Sequence, residues 1–383
     1  MRKLDVSPSR RPGSTRVFLL RHGESTFNEE KRCQGSSDKS ILTEQGVSTA
    51  LKTAQYLKES QPEVILASPL LRARQTAEII FSEWNGSGAR IEFHDLLKEV
   101  HLAHWEGLTF DQIRSDFSNE FQTWTERPHE LCMTRAGKAN AQFKPVVELY
   151  RRATRFWKEN LPRLAGKRIL VVSHGGATRA LIGAALRISA RFYHRTQHSN
   201  GGVSVLEFYP TQPGGWRIEA LNLTCHLHSR LPKLKEGKRG VRLVLLPLEG
   251  GATQLQFLRE LRPDLVSEPQ AYKLSPAQFR EGIVRTVVLT ASIDSLMPIL
   301  LGAAGVRRDD CARWDMRKGH VSVLHYPRPN GGAVLQTFNL PIGAIRSGTA
   351  GDRTAPNAFM PSGCYEHSSQ PAAFTNTNQR SVE

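Results

Sequence analysis

The chain has 383 residues, more than one compact core usually holds, so its length points to one large module plus a smaller one. With 39% hydrophobic and 23% charged residues it has the composition of a globular protein, which excludes disorder throughout. Lysine and arginine number 52 against 36 acidic residues, a formal net charge of +16 that suits anionic ligands, yet no nucleic-acid module organises the scattered basic residues.

Nucleic acid is therefore not expected as a partner. The five cysteines are odd in number, far apart and without a CxxC spacing, which argues against zinc or redox work and fits a reducing, cytoplasmic setting. No apolar run reaches membrane-spanning length, so no membrane partner is expected either. Residues 1–15 are basic and proline-containing without the apolar core of a secretory signal, and read as a disordered arm.

In chain order, Val17 to Leu20 is a short apolar run closed by Arg-His-Gly, a buried strand that delivers side chains into the loop at its carboxyl end. Thr43 to Glu59 has helical periodicity with Thr43 as N-cap, and Val64 to Ala67 is a second strand. Leu70 to Phe81 reads as a helix with Arg72 in its first turn, and Ile91 to Phe93 as a weak strand. Lys144 to Leu164 is a long amphipathic helix, followed by a strand at Arg168 to Val172 and a helix at Gly175 to Leu186. Val203 to Tyr209 and Trp216 to Leu223 close the module as edge-type strands. The alternation predicts an α/β fold, a largely parallel sheet with helices on both faces.

The rest of the chain echoes this module. "RILVVSHGGATRALIGAALRI" from Arg168 parallels "RTVVLTASIDSLMPILLGAAGV" from Arg285, "GGVSVLEFYP" parallels "KGHVSVLHYP", and "EALNL" parallels "QTFNL". "RVFLLRHGES" from Arg16 likewise parallels "RLVLLPLEGG" from Arg242, so Arg21 and His22 correspond to Pro247 and Leu248, and His174 to Ala291. The division expected is a catalytic domain over 16–228, a smaller degenerate α/β repeat over 240–345 lacking the catalytic residues, and a disordered tail over 346–383 rich in Ser, Thr, Pro, Gly and Asn. The repeat's sheet would bury a face against the first module or against a second copy of the chain, a homodimer.

Four separated pieces carry chemistry: Arg21-His22-Gly23-Glu24-Ser25 with Asn28, Arg72 in "SPLLRARQTA", Glu99 in "LLKEVHLAHWEG", and His174-Gly175-Gly176 after a strand. Three of them fall at predicted strand ends, so a parallel sheet would bring them to one rim. Two guanidiniums, Arg21 and Arg72, bind phosphoryl oxygens in fork geometry and supply the charge that phosphoryl transfer requires. A neutral imidazole near neutral pH needs neither metal nor cofactor to attack, which makes His22 the nucleophile. His174 and the helix-start amides at Gly175 and Gly176 would donate to the same oxygens. Glu99 would protonate the leaving alkoxide and then deprotonate water. Glu106 is close enough in sequence to be confused with it. Asn28, Gln34 and Gly35 border the phosphate or only shape the loop, and Asn200 either orients a pocket residue or, the preferred reading, forms the turn into the next strand. Trp105, Trp124 and Trp157 read as core.

These motifs resemble the signature of the histidine phosphatase superfamily, also called phosphoglycerate mutase-like, over residues 16 to about 225. The resemblance implies a phosphorylated histidine at His22, phosphate ligands at Arg21, Asn28, Arg72 and His174, and an acid at Glu99. "WEGLT" is similar to the small phosphatase branch, and the extended lid segment of the mutases is not found. An extra residue in "CQGSSDKSILTEQG", with "FKPVVELYRRA", resembles 2-carboxy-D-arabinitol 1-phosphatase and its cyanobacterial relatives. The function expected is hydrolysis of a small phosphorylated substrate such as a sugar-acid phosphate. A phosphoglycerate mutase-type phosphotransferase is the alternative, and a scaffold or regulatory pseudoenzyme is a further one that suits only residues 240–345.

Overall fold

A computed structural model describes residues 13–84, 88–135, 141–212, 214–227, 231–234, 239–280, 282–329 and 331–344. Most of the expected arm and the whole of the expected tail lie outside these residues. In chain order the elements are β1 (Thr15–Arg21), α1 (Thr26–Glu29), α2 (Glu44–Leu57), β2 (Val64–Ala67), α3 (Leu71–Glu83), β3 (Arg90–Phe93), α4 (Phe110–Asp116), α5 (Ser118–Glu126), a hairpin of β4 (Met133–Thr134) and β5 (Gln142–Phe143), α6 (Pro145–Asn160), β6 (Arg168–Ser173), α7 (Gly175–Leu186), β7 (Val203–Phe208) and β8 (Trp216–Leu223). The chain continues through β9 (Gly240–Pro247), α8 (Ala252–Leu261), β10 (Leu265–Ser267), β11 (Val284–Ala291), α9 (Ile293–Ala304), β12 (His320–Tyr326) and β13 (Val334–Pro341).

Eleven strands make one sheet in the order β10-β11-β9-β12-β13-β8-β7-β1-β6-β2-β3. The run β1-β6-β2-β3 is parallel, as is β9-β11-β10, and β7, β8, β13 and β12 fill the centre antiparallel to their neighbours. Continuous apolar runs form these strands because both faces of the sheet are covered. On β1, Val17 and Leu19 enter one core with Phe156 of α6 and Ala180 of α7, while Phe18 and Leu20 enter the other with Ala54 of α2 and Ala73 of α3. Both cores run on into β9, through Leu243 and Leu245 on one side and Val244 and Leu246 on the other.

The helix starts follow ordinary capping chemistry. Thr43 Oγ1 accepts the Gly46 amide at 3.1 Å at the head of α2, and Asp38 Oδ1 accepts the Leu71 amide at 2.5 Å at the head of α3. Two features depart from the sequence expectation. Helices α4 and α5 occupy a stretch to which the sequence reading assigns no element, and β7 and β8 are not edge strands, because β13 pairs with β8 at Phe338 and Leu221 and covers its free side. Among the described residues no helix is long and apolar enough to cross a membrane.

Candidate active site

Strands β1 and β6 are parallel neighbours with Arg21 opposite Ser173, so the residues just past their carboxyl ends, His22 and His174, meet. Their rings lie 5.2 Å apart between centroids at 61°, and both are buried. The chain after β1 cannot stray, since the His22 amide donates to Ser173 O at 2.9 Å.

The hydrogen bonds fix both tautomers. His22 Nδ1 lies 2.6 Å from Gly23 O, a carbonyl that can only accept, so the proton sits on Nδ1 and Nε2 keeps its lone pair. At His174, Nε2 lies 2.7 Å from Ser68 Oγ, whose hydroxyl accepts the Leu70 amide at 3.3 Å and has no other acceptor for its own hydrogen among the described residues, so that hydrogen turns to the ring. That leaves Nδ1 of His174 as a buried donor without a protein partner. Burial holds the pKa of both imidazoles well below the ordinary value, and the Arg72 guanidinium adds to the effect. Both rings are therefore neutral at neutral pH.

Two arginines join them. Arg21 ends β1 and donates from Nη1 to His198 O at 2.9 Å, and burial pulls its pKa down to about 10 against the opposing pull of Glu99. Arg72, in the first turn of α3, is fully buried and donates to Ser37 O at 2.8 Å and Gly35 O at 2.9 Å. Its pKa is also lowered by burial, with Glu99 again opposing. The Nε atoms of Arg21 and Arg72 are buried without partners. With His174 Nδ1 they make three donors beside the His22 ring that an anion can satisfy.

Glu99 reaches the same place from the segment after β3. Its Oε2 accepts the Gly176 amide at 2.8 Å, and Oε1 accepts the Ala177 and Val100 amides, each at 2.8 Å. The Gly176 amide at the start of α7, expected to receive phosphoryl oxygens, is thus taken by the Glu99 carboxylate. Gly175 lies against Arg21, where a Cβ would make ordinary van der Waals contact with Arg21 Nε at 3.4 Å. Oε2 of Glu99 accepts one bond and keeps a lone pair for a proton.

The loop residues sort themselves by partner. Ser25 Oγ lies 3.0 Å from both Asn28 Oδ1 and Gln34 Oε1, which share its single hydrogen, so both brace the loop after His22. Gly35 has φ +49 and offers its carbonyl to Arg72, and a Cβ there would collide with the Glu106 carboxylate. Glu106 is the pin of that loop, since its Oε1 accepts Ser36 N at 2.7 Å, Ser36 Oγ at 2.9 Å and Leu102 N at 3.2 Å.

Asn200, for which the turn is the preferred reading from sequence and orienting a pocket residue the other, holds the loop that carries His22. Its Nδ2 donates to His22 O at 3.2 Å, Gly23 O at 3.0 Å and Asn28 Oδ1 at 2.9 Å. Trp105 and Trp157 are core, as expected, and Trp124 packs edge-on against Trp105 and Tyr193.

Together these side chains form a histidine-centred cluster with buried, unpartnered donors on the carboxyl rim of an α/β sheet. The family description "Histidine phosphatase superfamily (branch 1)" matches residues 17–224, and the chain belongs to that superfamily. A probable 2-carboxy-D-arabinitol-1-phosphatase of Arabidopsis thaliana is 37% identical over 207 residues, covering 54% of this chain and 41% of that protein. The 2-carboxy-D-arabinitol-1-phosphatase of Triticum aestivum is 36% identical over 220 residues, 56% of this chain and 42% of that one. A probable phosphoglycerate mutase GpmB of Photorhabdus laumondii is 34% identical over 226 residues, 58% of this chain and 99% of that protein. The match thus spans about two fifths of the length of the two plant relatives.

Proposed function

We propose that this chain is a phosphomonoester hydrolase that forms a phosphohistidine at His22 Nε2 and acts on a small phosphorylated metabolite such as a sugar-acid phosphate. The observation that carries the reading is the pair of ring assignments: Nδ1 of His22 is committed to Gly23 O, so Nε2 is a neutral nucleophile, beside a protonated Nδ1 of His174 and two buried guanidiniums.

In the first step the Nε2 lone pair forms a bond to phosphorus and the P–O ester bond breaks. Arg21, Arg72 and His174 take up the charge on the equatorial oxygens. The leaving alkoxide takes a proton from Glu99 Oε2. The ring becomes a phosphorylated cation, which the Nδ1–H bond to Gly23 O stabilises. In the second step Glu99 removes a proton from water, the hydroxide attacks phosphorus, the P–N bond breaks, and neutral His22 returns with inorganic phosphate. The arginines supply the positive charge that a divalent ion brings elsewhere, so turnover is expected to survive chelator.

The likeness to plant 2-carboxy-D-arabinitol-1-phosphatases supports a sugar-acid phosphate as substrate, and the likeness to a mutase keeps phosphotransfer as the second reading. Phosphate release from sugar-acid phosphates, phosphoglycerates and phosphoserine separates the two. Release without added bisphosphoglycerate supports the hydrolase. Isomerisation of phosphoglycerate that depends on bisphosphoglycerate, with no net release, supports the mutase.

A further inference from the structure

We infer that residues 240–344 are a reduced copy of the fold of residues 15–227 that acts as a built-in partner, its strand β13 positioning the segment 197–201 that holds Arg21 and His22. The strand order supports the repeat, because it reads alike outward from the seam: β8, β7, β1, β6, β2 on one side and β13, β12, β9, β11, β10 on the other. The seam bonds are reciprocal as well. Asn222 Nδ2 donates across it to Gln336 O at 2.7 Å, and Asn339 Nδ2 donates back to Glu219 O at 2.9 Å. Each asparagine has φ +53, and each accepts a backbone amide of its own half, Ser199 for Asn222 at 2.7 Å and Arg317 for Asn339 at 3.1 Å. The bridges Thr196 to Leu335 and Ile218 to Trp314 complete the exchange. The side of β8 away from β7 is therefore occupied by β13.

Only one arm of this symmetric seam leads to the site. The Gln197 amide donates to Leu335 O at 2.9 Å, and Gln336 Nε2 donates to Gln197 Oε1 at 3.1 Å. One residue on, His198 O receives Arg21 Nη1, and two further on Asn200 grips His22 O. The Gly201 amide closes the bracket on Arg21 O at 3.0 Å. Gln197, Asn222 and Gln336 are all buried, so a lost bond leaves a polar group that water cannot readily reach, and the bracket shifts instead. A displacement on the order of 1 Å at a reacting group lowers turnover by as much as about a hundredfold. In the second half the equivalent bond runs from the Arg317 amide to Asn339, and the chain leads on to Gly319, which lies against Glu249, while Leu248 stands where the first half has His22.

The inference rests on His22 as nucleophile, and the symmetry supplies its own control. In the full chain, Asn222→Gly and Asn339→Gly each remove the same seam bonds while glycine tolerates the left-handed backbone. The two variants are expected to lose similar amounts of Tm, with kcat falling about tenfold in Asn222→Gly alone and KM within about twofold in both. Gln336→Leu and Gln197→Ala serve as a second pair should the glycine variants fail to accumulate, and their kcat losses are expected to be non-additive in the double variant. Equal kcat in Asn222→Gly and Asn339→Gly, or additive losses in the second pair, overturns the positioning role. Phosphohistidine at His22 of the unaltered chain is measured alongside. Its absence would reject the proposed function, whereas its presence with unchanged kcat rejects this inference alone.

Discussion

Replacing Glu99 by glutamine separates its proton transfer from its place in the fold. In the native chain Oε1 accepts the Val100 and Ala177 amides and Oε2 accepts the Gly176 amide, all at 2.8 Å. Glutamine has one acceptor oxygen. Seated to keep two of these bonds, it turns its NH2 on the Gly176 N–H, donor against donor. One charge-assisted bond lost and one amide left unpaired cost about 2 kcal/mol, or a Tm lower by roughly 4 °C in a fold of this size. The kinetic effect depends on the leaving group. General acid catalysis is worth about 10²–10⁴-fold, so the first step with an alkyl phosphate should slow by that factor, because its alkoxide cannot leave unprotonated. A nitrophenyl phosphate needs no proton, so its burst of nitrophenolate should stay within about tenfold of the native rate. Only the later steady state, limited by water activation, should slow. Rapid-mixing bursts with the two esters, together with a melting curve, measure all three quantities. Equal losses in the first step for both esters would refute the acid role, and the same leaving-group pattern in Glu106→Gln instead would move it to Glu106.

Three further outcomes are expected. Asn200→Ala frees His22 O, Gly23 O and Asn28 from a shared donor and should lower kcat about 10–100-fold in steady-state assays, whereas unchanged kcat would mean that the loop holds itself. Gly35→Ala drives a Cβ into Glu106 at a left-handed position, shifts the carbonyl that orients Arg72, and should weaken inhibition by inorganic phosphate about tenfold; native inhibition would contradict this. Burial keeps His22 and His174 below the ordinary histidine pKa in the fold, so the unfolded chain binds protons that the folded one refuses. The stability they contribute is then complete above about pH 6.5 and is lost as pH falls below it. Urea midpoints should drop more between pH 7 and 5 in the native chain than in His174→Gln, and parallel slopes would refute the assignment.

The core of the first module was legible in the sequence because its strands are buried on both faces and so appear as unbroken apolar runs. Val17–Leu20, Val64–Ala67 and Ile169–Val172 all lie within the strands observed, and the residues that follow them form the site. What escaped depended on long-range closure. Helices α4 and α5 bury few side chains, so their periodicity is faint, although Thr109 and Gln112 spell a capping box that marks the first of them. Strand β8 alternates Arg217 and Glu219 with apolar residues and looks like an edge, yet Glu219 is paired with Arg16 at 2.6 Å and the partner strand lies far downstream. The roles of Asn200 and Glu106 arise only when the fold brings them to residues far away in the chain. The claim of Glu99 on the Gly176 amide is equally invisible in a pattern that suggested phosphate there.

A phosphoryl group carried on His22 Nε2 can be trapped by rapid quenching of the full chain with a turnover substrate. The adduct is expected to form within the first turnover, survive alkali, be lost in acid, map to the peptide containing His22 and disappear in His22→Ala. An adduct that is stable to acid and lost in alkali, or one that persists in His22→Ala, would contradict phosphoryl transfer to His22.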